Sequence, residues 1–166
     1  MNNNTDVQIR LLTTDDDSAM ANIIRHVSAE FGFTEDKGYG VADIVSTKLS
    51  QLYQNSDSRY WVIEHQGQLV GGAGISSIGT TQFGKTCELQ KMYFSSSIRG
   101  KGLGKQLAAH CLQQANILGF DACYLETTQV LVGAYQLYKK LGFKDIDCQL
   151  GNTGHDNCEI WMVKTL

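Results

Sequence analysis

One stretch constrains this chain more than any other. An apolar strand ends in Lys91-Met92-Tyr93-Phe94, the loop Ser95-Ser96-Ser97-Ile98-Arg99-Gly100-Lys101-Gly102 follows, and a helix opens at Leu103-Gly104. Glycines remove side chains, so consecutive N–H groups can converge on an anion at the positive end of the helix. Arg99, Lys101 and Lys105 add charge around the same point. Two familiar phosphate patterns fail here. The dinucleotide pattern G-x-G-x-x-G needs Gly at 105 after Gly100 and Gly102, and Lys105 stands there. The Walker pattern needs Gly at 99 and Ser or Thr at 106, where Arg99 and Gln106 stand. What remains is R-x-x-G-x-G, from Arg99 through Gly102 to Gly104. Alone, it reads equally well as a glycine-rich turn with solvated basic side chains.

Composition narrows the setting. The 166 residues are 42% hydrophobic and 19% charged, which suits a single domain over residues 1–166 and excludes a disordered chain. There are 17 Gly and no Pro, where average usage gives about 12 and roughly 8. Glycine enrichment without rigid turns points to backbone that approaches something closely. Fourteen Lys+Arg against seventeen Asp+Glu leave a net charge of −3, which argues against a nucleic-acid binder. The five cysteines (Cys87, Cys111, Cys123, Cys148, Cys158) are odd in number and scattered, and the start MNNNTDVQIR lacks an apolar core. Free thiols in a reducing cytoplasm are the expectation. The longest apolar run, Leu69 to Ile75, is far short of a membrane span.

Periodicity predicts an α/β order of β-αα-βββ-α-β-α-ββ. VQIRLL reads as a first strand, and Thr13 to Asp17 offer caps and first-turn acids for a helix through about Phe31. Gly32 to Gly40 reads as a loop and Val41 to Tyr53 as a second helix. Arg59 to His65 and LVGGAGISSI form a hairpin about Gln66-Gly67-Gln68. Thr86 to Phe94 is the strand before the loop, and Leu103 to Leu118 is the helix after it. Phe120 to Glu126 is a strand, and Val130 to Leu141 a helix stopped by Gly142. Phe143 to Leu150 and Glu159 to Val163 close the order as strands.

Placed in that order, the loop resembles the pyrophosphate loop of the GNAT superfamily of acyl-CoA-dependent N-acyltransferases. A second block, A-x-x-L-Y-x-K-x-G-F (Ala134, Leu137, Tyr138, Lys140, Gly142, Phe143), is similar to that family's other conserved block. The tail from Gly151 to Cys158, followed by WMVKTL, is similar to a bacterial subset that includes domains fused to MarR-type regulators. The resemblance implies a mixed, mostly antiparallel sheet flanked by helices, with acetyl-CoA as co-substrate. It implies backbone contacts from Met92, Tyr93 and Phe94 to the pantetheine arm. It also implies pyrophosphate binding by Arg99, Gly100, Lys101, Gly102, Leu103, Gly104 and Lys105. Many members carry a Pro after the strand; Ser95-Ser96-Ser97 stands here instead, which leaves the rigidity of the loop open.

The chemistry implied is acetyl transfer to a primary amine, a small molecule rather than nucleic acid or membrane, by direct attack in a ternary complex. A non-catalytic acyl-CoA sensor and an acetylase of a protein lysine or N-terminus are the rivals, and a homodimer stays open. Glu88 falls where one branch of the family keeps a general base; the alternative is a strand-edge carboxylate paired with Lys91 or Lys85. Tyr138 falls where the family aims a hydroxyl at the coenzyme sulfur, yet it also lies on an apolar stripe with Ala134, Leu137 and Leu141. Glu126 is a candidate acid or amine anchor, with helix capping by Thr127 or Thr128 as the plain reading of that corner. Phe33 and His155 are acceptor-site candidates, beside Phe31 and Tyr39. His155 beside Cys148 and Cys158 is a single His without a C-x-x-C, so no metal site is expected there. The run Gly71-Gly72-Ala73-Gly74 lets either an acceptor or neighbouring backbone come close.

Overall fold

The computed structural model describes residues 6–33, 47–154 and 157–166. Seven strands form one sheet in the order β1-β2-β3-β4-β5-β7-β6. They are β1 (Val7–Leu11), β2 (Ser58–His65), β3 (Gln68–Thr81), β4 (Gly84–Phe94), β5 (Ala122–Thr127), β6 (Lys144–Ile146) and β7 (Ile160–Thr165). Only β4 and β5 pair in parallel; every other neighbour is antiparallel. The helices are α1 (Asp17–Glu30), a one-turn α2 (Leu49–Leu52), α3 (Leu103–Ile117) and α4 (Val132–Lys140). This is the mixed, helix-flanked sheet that the resemblance implies.

Strand alternation gives the sheet two apolar faces. Cys87, Leu89, Cys123 and Leu125 pack with Leu103, Leu107, Cys111 and Tyr138 of α3 and α4. On the other face Tyr60 and Val62 pack with Met20, Ile24, Leu49 and Tyr53, from α1 and the α2 region. The β2–β3 hairpin closes on Gln66 and Gly67, both at positive φ (55° and 72°), as a two-residue turn requires. The α1 entrance is tied down electrostatically. Arg10 donates to Asp16 at 2.7 and 2.8 Å and to Glu64 at 2.6 Å, which holds the Asp16 carboxyl down at about 2.

Three expectations change. The strand predicted over Phe143 to Leu150 stops at Ile146, because the next residues leave the sheet to bond side chains of β5, as described below. Helix α4 starts at Val132 rather than Val130, since a turn at Thr128 takes the N–H groups of Val130 (3.0 Å) and Leu131 (3.1 Å) first. Of the second helix only Leu49–Leu52 is described; Ile44, Val45 and Tyr39 lie outside the described residues.

The glycine run of β3 serves the chain's own tyrosines. A Cβ on Gly72 would stand 2.5 Å from the Tyr60 ring, and one on Gly74 2.5 Å from the Tyr53 ring. Between the two readings of that run, neighbouring protein fills the space.

Candidate active site

The site grows out of one interrupted pairing. β4 and β5 are in register at Thr86–Ala122, Cys87–Cys123 and Glu88–Tyr124, and no further. Beyond Glu88 the strands part, β4 running on to Phe94 with only β3 beside it. Strand backbone that faces no second neighbour keeps its N–H and C=O groups available to a ligand. The gap opens into a cleft of about 640 Å³, within the range typical of small-molecule sites.

A bulge shapes the open edge. Lys91 and Met92 together face Ala73, between the Gly74–Gln90 and Gly72–Tyr93 pairs, and Lys91 adopts φ 50°. The buried Tyr60 hydroxyl donates to the Lys91 carbonyl at 2.7 Å and pins that bulge. Met92, Tyr93 and Phe94 all line the cleft.

The glycine loop follows. Ser95 sits at φ −54°, ψ 141°, a conformation a proline would share, and Ser96–Ile98 form a 3₁₀ turn. The Ser95 N–H donates to Val70 O at 2.9 Å. The serines therefore reach an ordered turn without proline. Gly100 (φ 79°) and Gly102 (φ 80°) are left-handed, with nothing within 4 Å of a hypothetical Cβ. Their glycines are required by backbone conformation rather than by space. Gly102 is the N-cap of α3. Gly104 lies inside the first turn; a Cβ there would touch Leu137, Met92 and Phe94 at 3.6 Å.

Of the loop residues singled out from sequence, Arg99, Gly100, Leu103 and Gly104 line the cleft, while Lys101, Gly102 and Lys105 are exposed and do not. Arg99 is engaged elsewhere on the protein. Its guanidinium pairs with Glu30 at 2.6 Å, donates twice to Phe94 O (3.1 and 3.2 Å) and lies 5.7 Å from the Phe31 ring.

Glu88 stands at the apex where the strands separate, 3% exposed, between Ser76 of β3 and Tyr124 of β5. β4 is a central strand rather than an edge, and Lys85 places its ammonium 4.6 Å over the Phe120 ring. Glu88 Oε2 accepts from Gln90 Nε2 at 2.7 Å, and Gln90 Oε1 accepts from the Tyr53 hydroxyl at 2.7 Å. Alternation places Glu88 and Gln90 on the α1 face, opposite Cys87 and Leu89.

Tyr138 lines the cleft from the other face, 8% exposed and edge-on to Phe143 at 5.9 Å. Burial pushes its phenol well above the ordinary value, with further upward contributions from Tyr93, Cys123 and Cys111. It is at once a core residue and a cleft residue, and its hydroxyl stays protonated at neutral pH.

At the far wall, Glu126 Oε1 accepts from Tyr124 (2.9 Å), Gln149 (3.1 Å) and Thr153 (2.5 Å), and Leu150 N–H donates to Tyr124 at 3.2 Å. These bonds strap the segment after β6 to β5. The capping reading of the neighbouring threonines fails, since the α4 N-cap is Leu131 and carries no side-chain cap. Thr127, 3% exposed and on the cleft wall, keeps a buried hydroxyl without a hydrogen-bond partner among the described residues. Phe33 lines the cleft, stacked on Phe31 at 5.9 Å. His155 lies outside the described residues.

Sequence reasoning missed Gln90, Thr127, Asn157 and Cys158, all on the cleft wall. Period-two spacing from Glu88 would have found Gln90. Cys158 is pushed up to about 12 by burial first, then by the charges of Glu126, Glu159 and Glu88, so this end of the cleft is electronegative.

Residues 24–143 match the model of the acetyltransferase (GNAT) family. The Escherichia coli (strain K12) protein called uncharacterized N-acetyltransferase YjgM is 51% identical over 158 residues, covering 95% of this chain and 94% of its own. A GNAT-family acetyltransferase of Staphylococcus aureus MU50 has a TM-score of 0.79 at 19% identity, covering 96% of this chain and 98% of that one. The protein yncA of Salmonella typhimurium, solved with its cofactor acetyl-CoA, has a TM-score of 0.69 at 18% identity, covering 97% and 94%. With the family model spanning most of the chain and YjgM alike from end to end, the chain belongs to the GNAT family and is an acetyltransferase.

Proposed function

We propose that the protein transfers an acetyl group from acetyl-CoA to a small, cationic primary amine bound at the Glu88 end of the cleft. The carrying observation is the parting of β4 and β5 at Glu88, which leaves a slot with Glu88 on one face and Tyr138 on the other. The residues present fit acetyl-CoA. Beyond Glu88 no described strand pairs with β4 on the cleft side, so its edge offers amide partners to the pantetheine arm, and the buried Thr127 hydroxyl lacks a partner among the described residues. The first turn of α3, entered through Gly100 and Gly102, offers N–H groups and a positive dipole to the pyrophosphate. When bound, acetyl-CoA supplies the activated acetyl group.

The side chains divide the proton work. A lysine-like amine of pKa ~10.4 is neutral in only about one molecule in 2,500 at pH 7. Glu88 takes the proton, directly or through a water, and its anionic form also attracts the ammonium before deprotonation. Glu126 and Glu159 add negative potential at the same end. Tyr138 hydrogen-bonds the departing sulfur. Even an unperturbed phenol would lose about 2 kcal/mol in handing its proton to a thiolate of pKa ~8.5, and the raised Tyr138 pKa increases that cost. A hydrogen bond that stabilises the thiolate is therefore its role, rather than full transfer.

Five free thiols suit a reducing cytoplasm as the place of action. The test is thermal shift with acetyl-CoA, then thiol release over a panel of amino acids, polyamines, aminoglycosides and lysine peptides, with products identified by mass spectrometry. Acetyl-CoA should raise the Tm and a small cationic amine should be the best acceptor. Exclusive turnover of peptides, or binding without any turnover, would overturn the reading.

A further inference from the structure

We infer that Tyr53 and Gln90 are positioning residues that hold the Glu88 carboxyl group fixed in plane; the catalytic consequence rests on the reading of Glu88 as base. The device starts in the backbone of β3. Gly74 has no side chain, and the Tyr53 ring occupies the space, so close that a Cβ would fall 2.5 Å from its edge. Tyr53 is the C-cap of the one-turn α2 and packs against Tyr60 with ring centroids 5.1 Å apart. That seat delivers its hydroxyl to Gln90 Oε1 at 2.7 Å.

A side-chain amide has two unlike ends. With its oxygen engaged by the Tyr53 proton, Gln90 turns its NH₂ to Glu88, and Nε2 donates to Oε2 at 2.7 Å. Tyr53 and Gln90 together fix the plane of the Glu88 carboxyl group and so the direction in which it meets an acceptor amine. Other groups also bear on Glu88 electrostatically. Tyr124 on β5 and Cys158 ahead of β7 both feel its charge, Glu126 and Glu159 stand at the same end, and Lys91 shares its strand and lines the cleft.

The decisive measurement is the split between kcat and KM for acetyl-CoA in Gln90→Leu and Tyr53→Phe, beside Glu88→Gln. The loss in kcat should be smaller in Tyr53→Phe than in Gln90→Leu, and the double variant should match Gln90→Leu alone, because Tyr53 acts through Gln90. An unchanged kcat in both single variants overturns the relay. Glu88→Gln should lower kcat at least ~100-fold. Gln90→Leu should lower kcat about 10-fold, with KM for acetyl-CoA within about twofold. A fully active Glu88→Gln would sink the base assignment, while a crystal structure in which the Glu88 carboxyl group swings only in Gln90→Leu would leave its positioning standing. Equal losses in kcat and in acetyl-CoA affinity would mark Gln90 as structural only and overturn the proposal.

Discussion

The two walls of the cleft are built from different materials. On the α3 side much of what the wall offers is backbone: the edge of β4 beyond Glu88, the left-handed Gly100 and the first turn of α3. On the α1 side it is mostly side chains drawn from distant parts of the chain: Val27 from α1, Glu88 and Gln90 from β4, Glu126 from β5. Backbone recognition suits a ligand part that never varies, because it needs only a conformation and leaves no side chain to mutate. Side-chain recognition suits a part that differs between relatives, because each residue can change alone. On the proposed function, the coenzyme falls to the first wall and selectivity for the acceptor to the second.

The strongest way to break that assignment is to put a side chain into the backbone wall. Gly104→Glu keeps a helical conformation, and its Cβ makes ordinary contacts at 3.6 Å, so the domain should stay folded. The carboxylate then enters the cleft beside the phosphate position. Acetyl-CoA affinity, measured by calorimetry, should fall at least ~100-fold, as expected when a like charge replaces an anion site. Retained affinity would mean that the pyrophosphate does not sit on this turn.

Next in size is Tyr138→Phe, which removes one oxygen from the same side and leaves the packing against Phe143 in place. Turnover should fall about 10- to 100-fold, with acetyl-CoA affinity nearly unchanged. Burial raises this phenol, so it stays protonated as pH rises through the range where an ordinary tyrosine would ionise. The kcat profile of the wild type should accordingly show no descending limb from Tyr138 below pH ~10. An unchanged kcat in the variant would return Tyr138 to a packing role.

These walls also differ in how far they can be read from sequence, and the cause is contact range. The loop from Arg99 to Gly104, the hairpin at Gln66-Gly67 and the helices α1, α3 and α4 are set by neighbours within a few residues, so local pattern reveals them. The partnership of Gly74 with Tyr53 spans 21 positions (74 − 53) and leaves no periodic trace. Gln149 likewise abandons a strand-like sequence for Glu126, to which Thr153 of the following loop also donates, a competition between side-chain and ladder bonds that local pattern does not contain. Glu88 itself was visible as a residue type on a strand; that it lies where two strands separate is a property of the sheet.

Thr127→Val sharpens the comparison with opposite signs in two states. In the free protein the hydroxyl is buried without a partner among the described residues. Its removal should raise stability by about 1 kcal/mol, roughly 3 °C in Tm. In the complex the same hydroxyl would bond an amide of the pantetheine arm, so acetyl-CoA affinity should fall about fivefold. A destabilised free protein would show that the hydroxyl already has a partner.

The smallest effect is expected at Arg99, the residue whose charge a sequence motif ranks first. Its guanidinium is held by Glu30 at 2.6 Å, by two bonds to Phe94 O and by the Phe31 ring. Both members of the ion pair are partly exposed, and such pairs contribute roughly 0–1 kcal/mol. The bonds to Phe94 O matter more, since they brace the end of the open β4 edge at its junction with the loop. Arg99→Ala should therefore weaken acetyl-CoA only about threefold, and adding Glu30→Ala should change little further. A direct charge-assisted contact to the pyrophosphate would instead be worth about 1.5–3 kcal/mol, a loss of roughly 10- to 150-fold. In that case Glu30→Ala alone would tighten binding by freeing the guanidinium. The sign of the Glu30 effect thus decides whether the first wall is backbone throughout or keeps one side chain in its recognition of phosphate.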